Sequence, residues 1–258
     1  MKLNTTNLFW ITAAHILALI GIVFFWSWGG LAIAVLSLLL ISPLGINLGY
    51  HRLMTHRALV VPKWLEYTLV TIGAMCGGGS PIAWAGAHRR HHRYANQELD
   101  PYNSSKGFWH SHILHLFIKE EIEAEDDRYV PDLYRDNYLV FLSKYWIWAA
   151  LAVLVLLYFI GGIQLVLWGG FVRVVLMWHA TWFVNSAAHM WGYRNYDTND
   201  KTTNCWWVGL IAAGEGWHNN HHANPRLAAH GHRWWELDFT YAVIWILEKI
   251  GLATKVKR

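Results

Sequence analysis

The sequence predicts an all-α integral membrane protein with four transmembrane helices and a cytoplasmic helical cap. The 258 residues are 55% hydrophobic but only 15% charged, whereas soluble domains average about 25% charged residues. The charge is also absent from two long stretches, because no Asp, Glu, Lys or Arg lies between Leu3 and Tyr50 or between Tyr145 and Val172. This composition excludes a disordered chain and argues against an ordinary cytosolic enzyme.

Each charge-free stretch is long enough for a membrane hairpin, because one helical span needs about 20 apolar residues. The four predicted spans are Leu8–Trp28, Leu31–Tyr50, Tyr138–Ile160 and Ile163–Phe183. Pairs of glycines predict the hairpin turns, at Gly29-Gly30 and at Gly161-Gly162. A cleaved signal peptide is the competing interpretation of the first run, but a second run follows at once, which favours a retained span. Buried helices of a soluble bundle are the alternative for all four segments.

The cationic residues predict the orientation in the membrane. Three of them lie outside two polar blocks, namely Lys2, Lys144 and Arg173, and the others fall in residues 51–137 or 194–258. The positive-inside rule places these blocks in the cytoplasm. We therefore expect residues 51–137 and 184–258 to form the cytoplasmic cap, both termini to be cytoplasmic, and residues 1–258 to form a single domain. Lys and Arg form no dense blocks, so no nucleic-acid surface is predicted.

Histidine is the most unusual part of the composition, with 16 His against 17 Asp and Glu. Eight of them form three clusters in the predicted cap: His51 and His56; His88, His91 and His92; and His218, His221 and His222. In a helix, positions i, i+3 and i+4 share one face, so each of the last two clusters is expected to aim three imidazoles at one point. The i, i+5 spacing of the first cluster requires a helix end, a distortion or two different metals. Imidazole binds Zn, Cu, Fe and Ni, and eight ligands are too many for one ion, so the sequence predicts a di-metal site.

The motifs around these clusters resemble those of the membrane fatty acyl desaturases, in particular the group that places a double bond near carbon nine of a saturated chain. The resemblance covers roughly residues 40–250. In chain order it includes Gly-Tyr-His51-Arg-Leu-Met-Thr-His56, His88-Arg-Arg-His91-His92, Asp100-Pro101, Ser111-His112, Asn185-Ser-Ala-Ala-His189 and Gly214-Glu215-Gly-Trp-His218-Asn-Asn-His221-His222. It implies that nine histidines hold two irons and that an asparagine reaches one metal through water. Carried onto this sequence, these are His51, His56, His88, His91, His92, His189, His218, His221 and His222, with Asn185.

The resemblance also implies roles for residues around the metals. Side chains expected to support the metal ligands by hydrogen bonds are Asp100, His112, Asp197 and Glu215. Those expected to contact the acyl chain or its headgroup are Trp84, Thr181, Lys119, Leu39 and Pro43. Plain packing and salt bridging are the alternatives for both sets. No catalytic side chain is implied beyond the metal ligands, and the other histidines, His230 among them, are expected to be structural or solvated.

The implied reaction uses dioxygen and two external electrons at a di-iron centre to convert a saturated acyl chain into a cis alkene. Zinc could replace the iron in a purified sample. The sequence has no dinucleotide fingerprint, so a separate ferredoxin or b-type cytochrome is the expected donor. Acyl-CoA members of the family carry an Arg-Asp pair where this chain has Gly86 and Ala87. The absence of this arginine favours an acyl chain carried on membrane lipid or acyl carrier protein over a CoA ester. The protein is expected in a bacterial cytoplasmic or thylakoid-type membrane.

Two alternatives remain open at the level of sequence. Membrane alkane or fatty acyl hydroxylases share such histidine clusters and differ in their product, an alcohol rather than an alkene. A metal transporter is the more remote alternative. Transporters bind their substrate ions near the middle of the bilayer, whereas these clusters lie in the predicted cytoplasmic blocks.

Overall fold

Helices make up nearly all the regular structure, in agreement with the predicted fold class. The computed structural model describes residues 2–119 and 126–258, so residues 120–125 of the predicted cap lie outside it. The elements in chain order are β1 (Lys2–Leu3), α1 (Thr5–Phe24), α2 (Trp28–Ser42), a first π-helical segment (Pro43–Thr55), α3 (Lys63–Met75), α4 (Pro81–Tyr94), a 3₁₀ turn (Ser104–Lys106), α5 (Phe108–His112), a 3₁₀ turn (Leu114–Phe117), β2 (Ile118–Lys119), α6 (Asn137–Leu165), a second π-helical segment (Val166–Val172), α7 (Arg173–Asn185), a 3₁₀ turn (Ala187–His189), α8 (Trp206–Ile211), α9 (His218–Ala223) and α10 (Phe239–Lys249). β1 and β2 pair antiparallel.

The N-terminal apolar run folds as a helical hairpin. Asn4 caps α1 by accepting from the Asn7 N–H at 3.2 Å, and Ser27 caps α2 by accepting from the Gly30 N–H at 3.1 Å, which satisfies backbone donors that a helix start leaves free. Many large apolar side chains of α1 and α2 are exposed, as expected of a surface that faces lipid. α2 continues directly into the first π segment, which is buried along almost its whole length.

The second apolar run also folds back on itself. Its helix is interrupted at Gly161 and Gly162, where Gly162 takes φ 63°, a backbone conformation that costs glycine little. Beyond the interruption the chain returns along α6, because a Cβ added to Gly170 would lie 2.5 Å from Leu154 Cδ2. The predicted third and fourth spans therefore lie on the two sides of this glycine pair.

The number of separate helices differs from the prediction. Among the described residues, three helices are long and apolar enough to cross a membrane: Thr5–Phe24, Trp28–Thr55 and Asn137–His189. The count is three and not the expected four, because the last of these stretches contains both the third and the fourth predicted spans. The non-helical backbone at Gly161 and Gly162 divides that stretch where the turn was predicted. The second helix also extends beyond Tyr50, where the predicted span ends, because the π segment prolongs it to the first histidine cluster.

The first π segment is packed between other helices. One buried cluster joins Ile46, Tyr50 and Met54 of this segment to Val70 and Ala74 of α3 and to Ile82 and Ala85 of α4. A second joins Leu48 and Leu53 to Leu65 and Leu69 of α3 and to Ile244 of α10. Since apolar side chains surround the segment on more than one side, the positions of His51 and His56 are fixed by the core.

Candidate metal centre

The π-helix explains the spacing of the first histidine cluster. A π-helical hydrogen bond joins residues five apart, and the His56 N–H donates to the His51 carbonyl at 3.1 Å. The Thr55 hydroxyl donates to the Tyr50 carbonyl at 2.6 Å over the same separation. The His51 and His56 rings consequently lie together, with centroids 4.8 Å apart. The i, i+5 spacing requires a distortion of the α-helix, and the structure provides it here.

Five histidines converge to form the first histidine group: His51, His56, His88, His92 and His221. Their ligand nitrogens all lie within 4.8 Å of one another. Successive rings meet through their Nε2 atoms, at 2.9 or 3.0 Å. Five nitrogens from distant parts of the chain thus face one point, as they would around a shared cation.

Four histidines form the second histidine group: His91, His189, His218 and His222. The Nε2 atoms of His189 and His218 are 3.1 Å apart. Within the described part of the chain, the Nε2 atoms of His91 and His222 are buried and have no hydrogen-bond partner. A buried polar atom without a partner is costly, and a metal ion at the centre of the group would satisfy both.

The two groups divide the sequence clusters in a way that corrects one prediction. Each H-x-x-H-H cluster was expected to aim three rings at one point. Instead, the i and i+4 residues share a group and the i+3 residue joins the other: His88 and His92 separate from His91, as His218 and His222 separate from His221. Positions i+3 and i+4 differ by about 100° around an α-helix of 3.6 residues per turn, which is enough to direct neighbouring rings to two centres.

Carboxylates hold the outer nitrogen of three of these histidines. His51 Nδ1 donates to Glu215 at 2.6 Å, His91 Nδ1 to Asp100 at 2.8 Å, and His222 Nδ1 to Asp200 at 2.8 Å. A carboxylate can only accept, so these bonds place the ring proton on Nδ1 and leave the Nε2 lone pair directed into the group. This is the arrangement usual for metal-bound histidine, and the residues therefore fit a pair of metal ions.

The electrostatics of the site also suit cations. Burial, reinforced by neighbouring imidazoles, lowers the pKa of His88 and of His218 well below its usual value, which keeps these rings in the neutral form that binds metal. Burial alone would raise the pKa of Glu215, but the charges of Arg52 and His230 outweigh it and hold that pKa well below its usual value. The imidazole ligands are thus neutral, and the Glu215 carboxylate that accepts from His51 is ionised.

His230 lies against the first histidine group, although the sequence interpretation left it out. Its ring centroid is 4.3 Å from that of His221, and its Nδ1 is 3.3 Å from Glu215 Oε2. Among the described residues, its Nε2 has no hydrogen-bond partner. No spacing motif marks His230, since it follows the third cluster in an irregular segment and reaches the site only through the tertiary fold.

Asp197 differs from its predicted role. Its side chain is fully exposed and lies 3.8 Å from Arg194, not beside a histidine. Asp200, three residues later in the same loop, is the carboxylate that binds His222. The backbone N–H of Thr202 donates to Asp200 at 2.9 Å, so the loop itself orients this carboxylate, which a sequence pattern does not show.

Three predicted substrate residues lie close to the histidine groups or line an apolar cavity. Trp84 stacks on His88, with ring centroids 4.9 Å apart and planes 15° from parallel. Thr181 and Pro43 line a narrow cavity between the first π segment and α7, with Ser42 beside them. The cavity lies between the helical segments that carry His51 and lead to His189, and none of the described residues that line it is a histidine.

The other two predicted substrate residues lie elsewhere. Leu39 is 43% exposed on α2, and its neighbour Leu38 lines the cavity instead. One residue along an α-helix turns the side chain by about 100°, which accounts for the difference. Lys119 is exposed in β2, opposite Lys2 in the two-stranded pair.

His112 and Asn185 belong to neither histidine group. His112 is buried, and its ring nitrogens lie 3.0 Å from Ser186 Oγ and 2.9 Å from His179 Nδ1. Asn185 is the last residue of α7, four residues before His189. Its contact with a metal through water stays a prediction.

Comparison with known proteins identifies the family. A sequence model of the fatty acid desaturase family matches residues 26–254. The chain belongs to the fatty acid desaturase family. All nine histidines of the two groups lie inside the matched region of this desaturase, as do the cavity residues. The match agrees with the desaturase interpretation of the sequence and not with the hydroxylase or transporter alternatives.

Relatives of this desaturase match it over nearly its whole length. An sn-1 stearoyl-lipid 9-desaturase of Anabaena variabilis is 45% identical over 99% of this chain and 94% of its own. An sn-2 palmitoyl-lipid 9-desaturase of Nostoc sp. (strain 36) is also 45% identical, over 98% of this chain and 92% of its own. An acyl-CoA 5-desaturase of Anemone leveillei is 39% identical over 98% of this chain and 80% of its own. The desaturases similar to this chain thus differ in the carrier and the bond position that their names give.

Proposed function

We propose that this protein introduces a cis double bond at carbon nine of a saturated acyl chain carried on a membrane lipid. The observation that carries the proposal is the pair of histidine groups, which together offer nine nitrogen donors. The cyanobacterial relatives named as acyl-lipid 9-desaturases support the bond position and the carrier.

Two iron ions are the cofactors of this proposal, one in each histidine group, and Asn185 would reach one of them through water. Bound iron supplies the redox chemistry needed to oxidise an unactivated methylene group with dioxygen, which zinc lacks. Glu215 and Asp100 keep the inner nitrogens of His51 and His91 unprotonated by holding their outer N–H groups. The protein thereby maintains a rigid, neutral donor set before any ion enters.

In this proposal the acyl chain lies between the first π segment and α7, where Pro43 and Thr181 line the narrow cavity. A saturated chain has no polar group near its middle to recognise, so selectivity for one carbon pair depends on shape and on holding that pair beside the metals.

The surface of α4 favours a lipid carrier over CoA. A Cβ added to Gly86 would lie 3.0 Å from the Cβ of Asp126, and Arg90, one turn later, is buried 3.1 Å from the same carboxylate. The place where acyl-CoA members carry an arginine is therefore already filled by the Asp126 side chain, whose carboxylate pairs with Arg90. The proposed orientation puts both termini and the histidine groups in the cytoplasm, and a ferredoxin or b-type cytochrome supplies the electrons.

Fatty-acid profiling of a bacterial host tests the activity. We expect cells that express the wild type to accumulate monoenes with the double bond at carbon nine, located by mass spectrometry of their dimethyl disulfide adducts. His221→Ala removes a ligand of the first group and should abolish the product, whereas His232→Ala, outside both groups, should retain it. New alcohols instead of alkenes would establish the hydroxylase alternative, and an unchanged profile with folded protein and a co-expressed donor would contradict the proposal.

An assay with purified protein tests which carrier of the acyl chain the enzyme uses. It is reconstituted in nanodiscs and supplied with stearoyl-lipid, stearoyl-acyl carrier protein or stearoyl-CoA. We expect turnover with the lipid. Turnover with the CoA ester alone would refute the lipid assignment, and turnover with the carrier protein alone would replace it.

A further inference from the structure

An open cavity of about 760 Å³ leads from the surface of the cap to the first histidine group. We call it the basic funnel. Its floor includes His56 and His92, and its wall carries five cationic side chains: Arg57, Arg89, Arg135, Arg226 and Lys257. Asp132 is the one carboxylate among the lining residues. A concave wall of one sign focuses its field on the space it encloses, so the funnel attracts anions toward the histidines.

Part of this positive charge is not neutralised within the protein. Arg57 and Arg89 both pair with Asp132, the latter at 2.6 Å. In the described residues, the side chains of Arg135, Arg226 and Lys257 form no hydrogen bond or ion pair. They come from three separate segments, before α6, after α9 and at the C-terminus. Three cationic side chains without an ionic partner on the wall of one funnel suit the binding of an acidic protein.

The floor of the funnel is where the first group is accessible. Of its five histidines, His56 and His92 are partly exposed and the other three are buried. His92 Nε2 is 2.9 Å from His221 Nε2, and His56 Nε2 is 3.0 Å from His88 Nε2. A partner in the funnel would therefore contact imidazole edges that belong directly to the metal group.

The geometry points to the basic funnel as the docking site of an acidic one-electron carrier protein, which delivers electrons through His56 and His92. This inference rests on the proposed function, because that reaction needs external electrons. Conversion of CH₂–CH₂ to CH=CH releases two hydrogen atoms, and one dioxygen takes these, two further electrons and two protons to form two waters. Two reduced carriers, each oxidised by one electron, balance the reaction.

Charge reversal tests the docking site. We compare wild type, Arg226→Glu and the double variant Arg135→Glu/Lys257→Glu with Lys255→Glu, which changes an exposed cation of the same C-terminal segment outside the funnel. The probes are a plant-type ferredoxin and the soluble domain of a b-type cytochrome. We measure their affinity for the purified protein at low and high salt, and the rate of lipid desaturation that they drive. A small uncharged reductant, photoreduced 5-deazariboflavin, drives the same reaction without docking.

We expect the funnel variants to lower carrier affinity and the carrier-driven rate by on the order of tenfold or more at low salt, and to weaken their salt dependence. Lys255→Glu should match the wild type, and the deazaflavin-driven rate should be the same in all. Equal carrier-driven rates in funnel and control variants, or no binding of either carrier, would overturn the docking site. Loss of binding to anionic lipid vesicles with an unchanged carrier-driven rate would assign the funnel to a lipid headgroup instead. No alkene even with deazaflavin would mean that the proposed function itself fails.

Discussion

Glu215 connects the first histidine group to a buried arginine, so Glu215→Gln tests the construction of the metal centre. The carboxylate accepts from His51 Nδ1 at 2.6 Å through one oxygen and from Arg52 Nη2 at 2.9 Å through the other. Both neighbours are donors, and an amide of the same shape offers an acceptor to only one of them. If the amide nitrogen faces His51, that ring can satisfy it only by moving its proton to Nε2, which then no longer binds metal. If the nitrogen faces Arg52, two donors oppose each other.

The structure indicates how much stability and metal affinity the Glu215→Gln variant should lose. The Arg52 side chain is completely buried, and Asp238, at 2.9 Å, is its other ionic partner. Breaking a buried ion pair costs about 3–5 kcal/mol, and because Asp238 remains we expect the lower end of that range for Glu215→Gln. Loss of the group that orients a metal-bound histidine weakens metal binding by about 10–100-fold.

Two measurements follow these effects separately. Metal content is determined by mass spectrometry after equilibration at buffered free Fe²⁺, and stability by thermal unfolding in detergent. Glu248→Gln is the matched control, because Glu248 pairs with Arg258 at the surface and such pairs contribute at most about 1 kcal/mol. Wild-type metal affinity and stability in Glu215→Gln would refute the role of this carboxylate in holding His51.

Three further predictions follow from the geometry. Asp200→Asn should weaken iron binding in the second histidine group by about 10–100-fold, measured by metal content, whereas Asp197→Asn, at a fully exposed side chain, should bind like the wild type. Gly30→Ala should lower stability by about 1–3 kcal/mol, measured by thermal unfolding, because its Cβ would overlap the ring of Trp168; Gly29→Ala, which meets its nearest neighbour at 3.6 Å, should be tolerated. Removing bound metal with a chelator should lower the unfolding temperature, since ligand at about 100 times its dissociation constant stabilises by about 2.7 kcal/mol; an unchanged temperature would contradict metal binding by the histidine groups.

The apolar helical hairpins and the eight clustered histidines could be predicted because both follow local patterns, whereas His189 was predicted only from the family resemblance. A charge-free run of sufficient length identifies a span, and i, i+4 spacing places His88 and His92 on one side of α4. The division of each cluster between two centres was not predictable from spacing alone. It depends on where His91 and His221 point once α4 and α9 pack together, and this is a property of the tertiary structure.

The supporting residues were harder to predict for the same reason. Glu215 and Asp100 stand inside recognisable motifs, and both contact histidines. Asp200 and Asp197 lie three residues apart in one loop with similar local chemistry, and only the folded loop decides which carboxylate reaches the site. His230 approaches Glu215 from a segment without periodicity. Contacts that depend on the conformation of a loop produce no recognisable spacing of residues in the sequence.

Because of the first π segment, the position of the double bond along the acyl chain is expected not to depend on the thickness of the bilayer. Pro43 and Ile46 line the cavity and His51 and His56 belong to the first histidine group, and one continuous buried helix carries all four. Membranes of different thickness tilt or shift their helices, but such a movement displaces cavity wall and metal ligands as one body. In the proposed reaction, the position of the double bond is therefore expected to depend on the protein backbone and not on the lipid surface, so the same product is expected in thin and thick membranes.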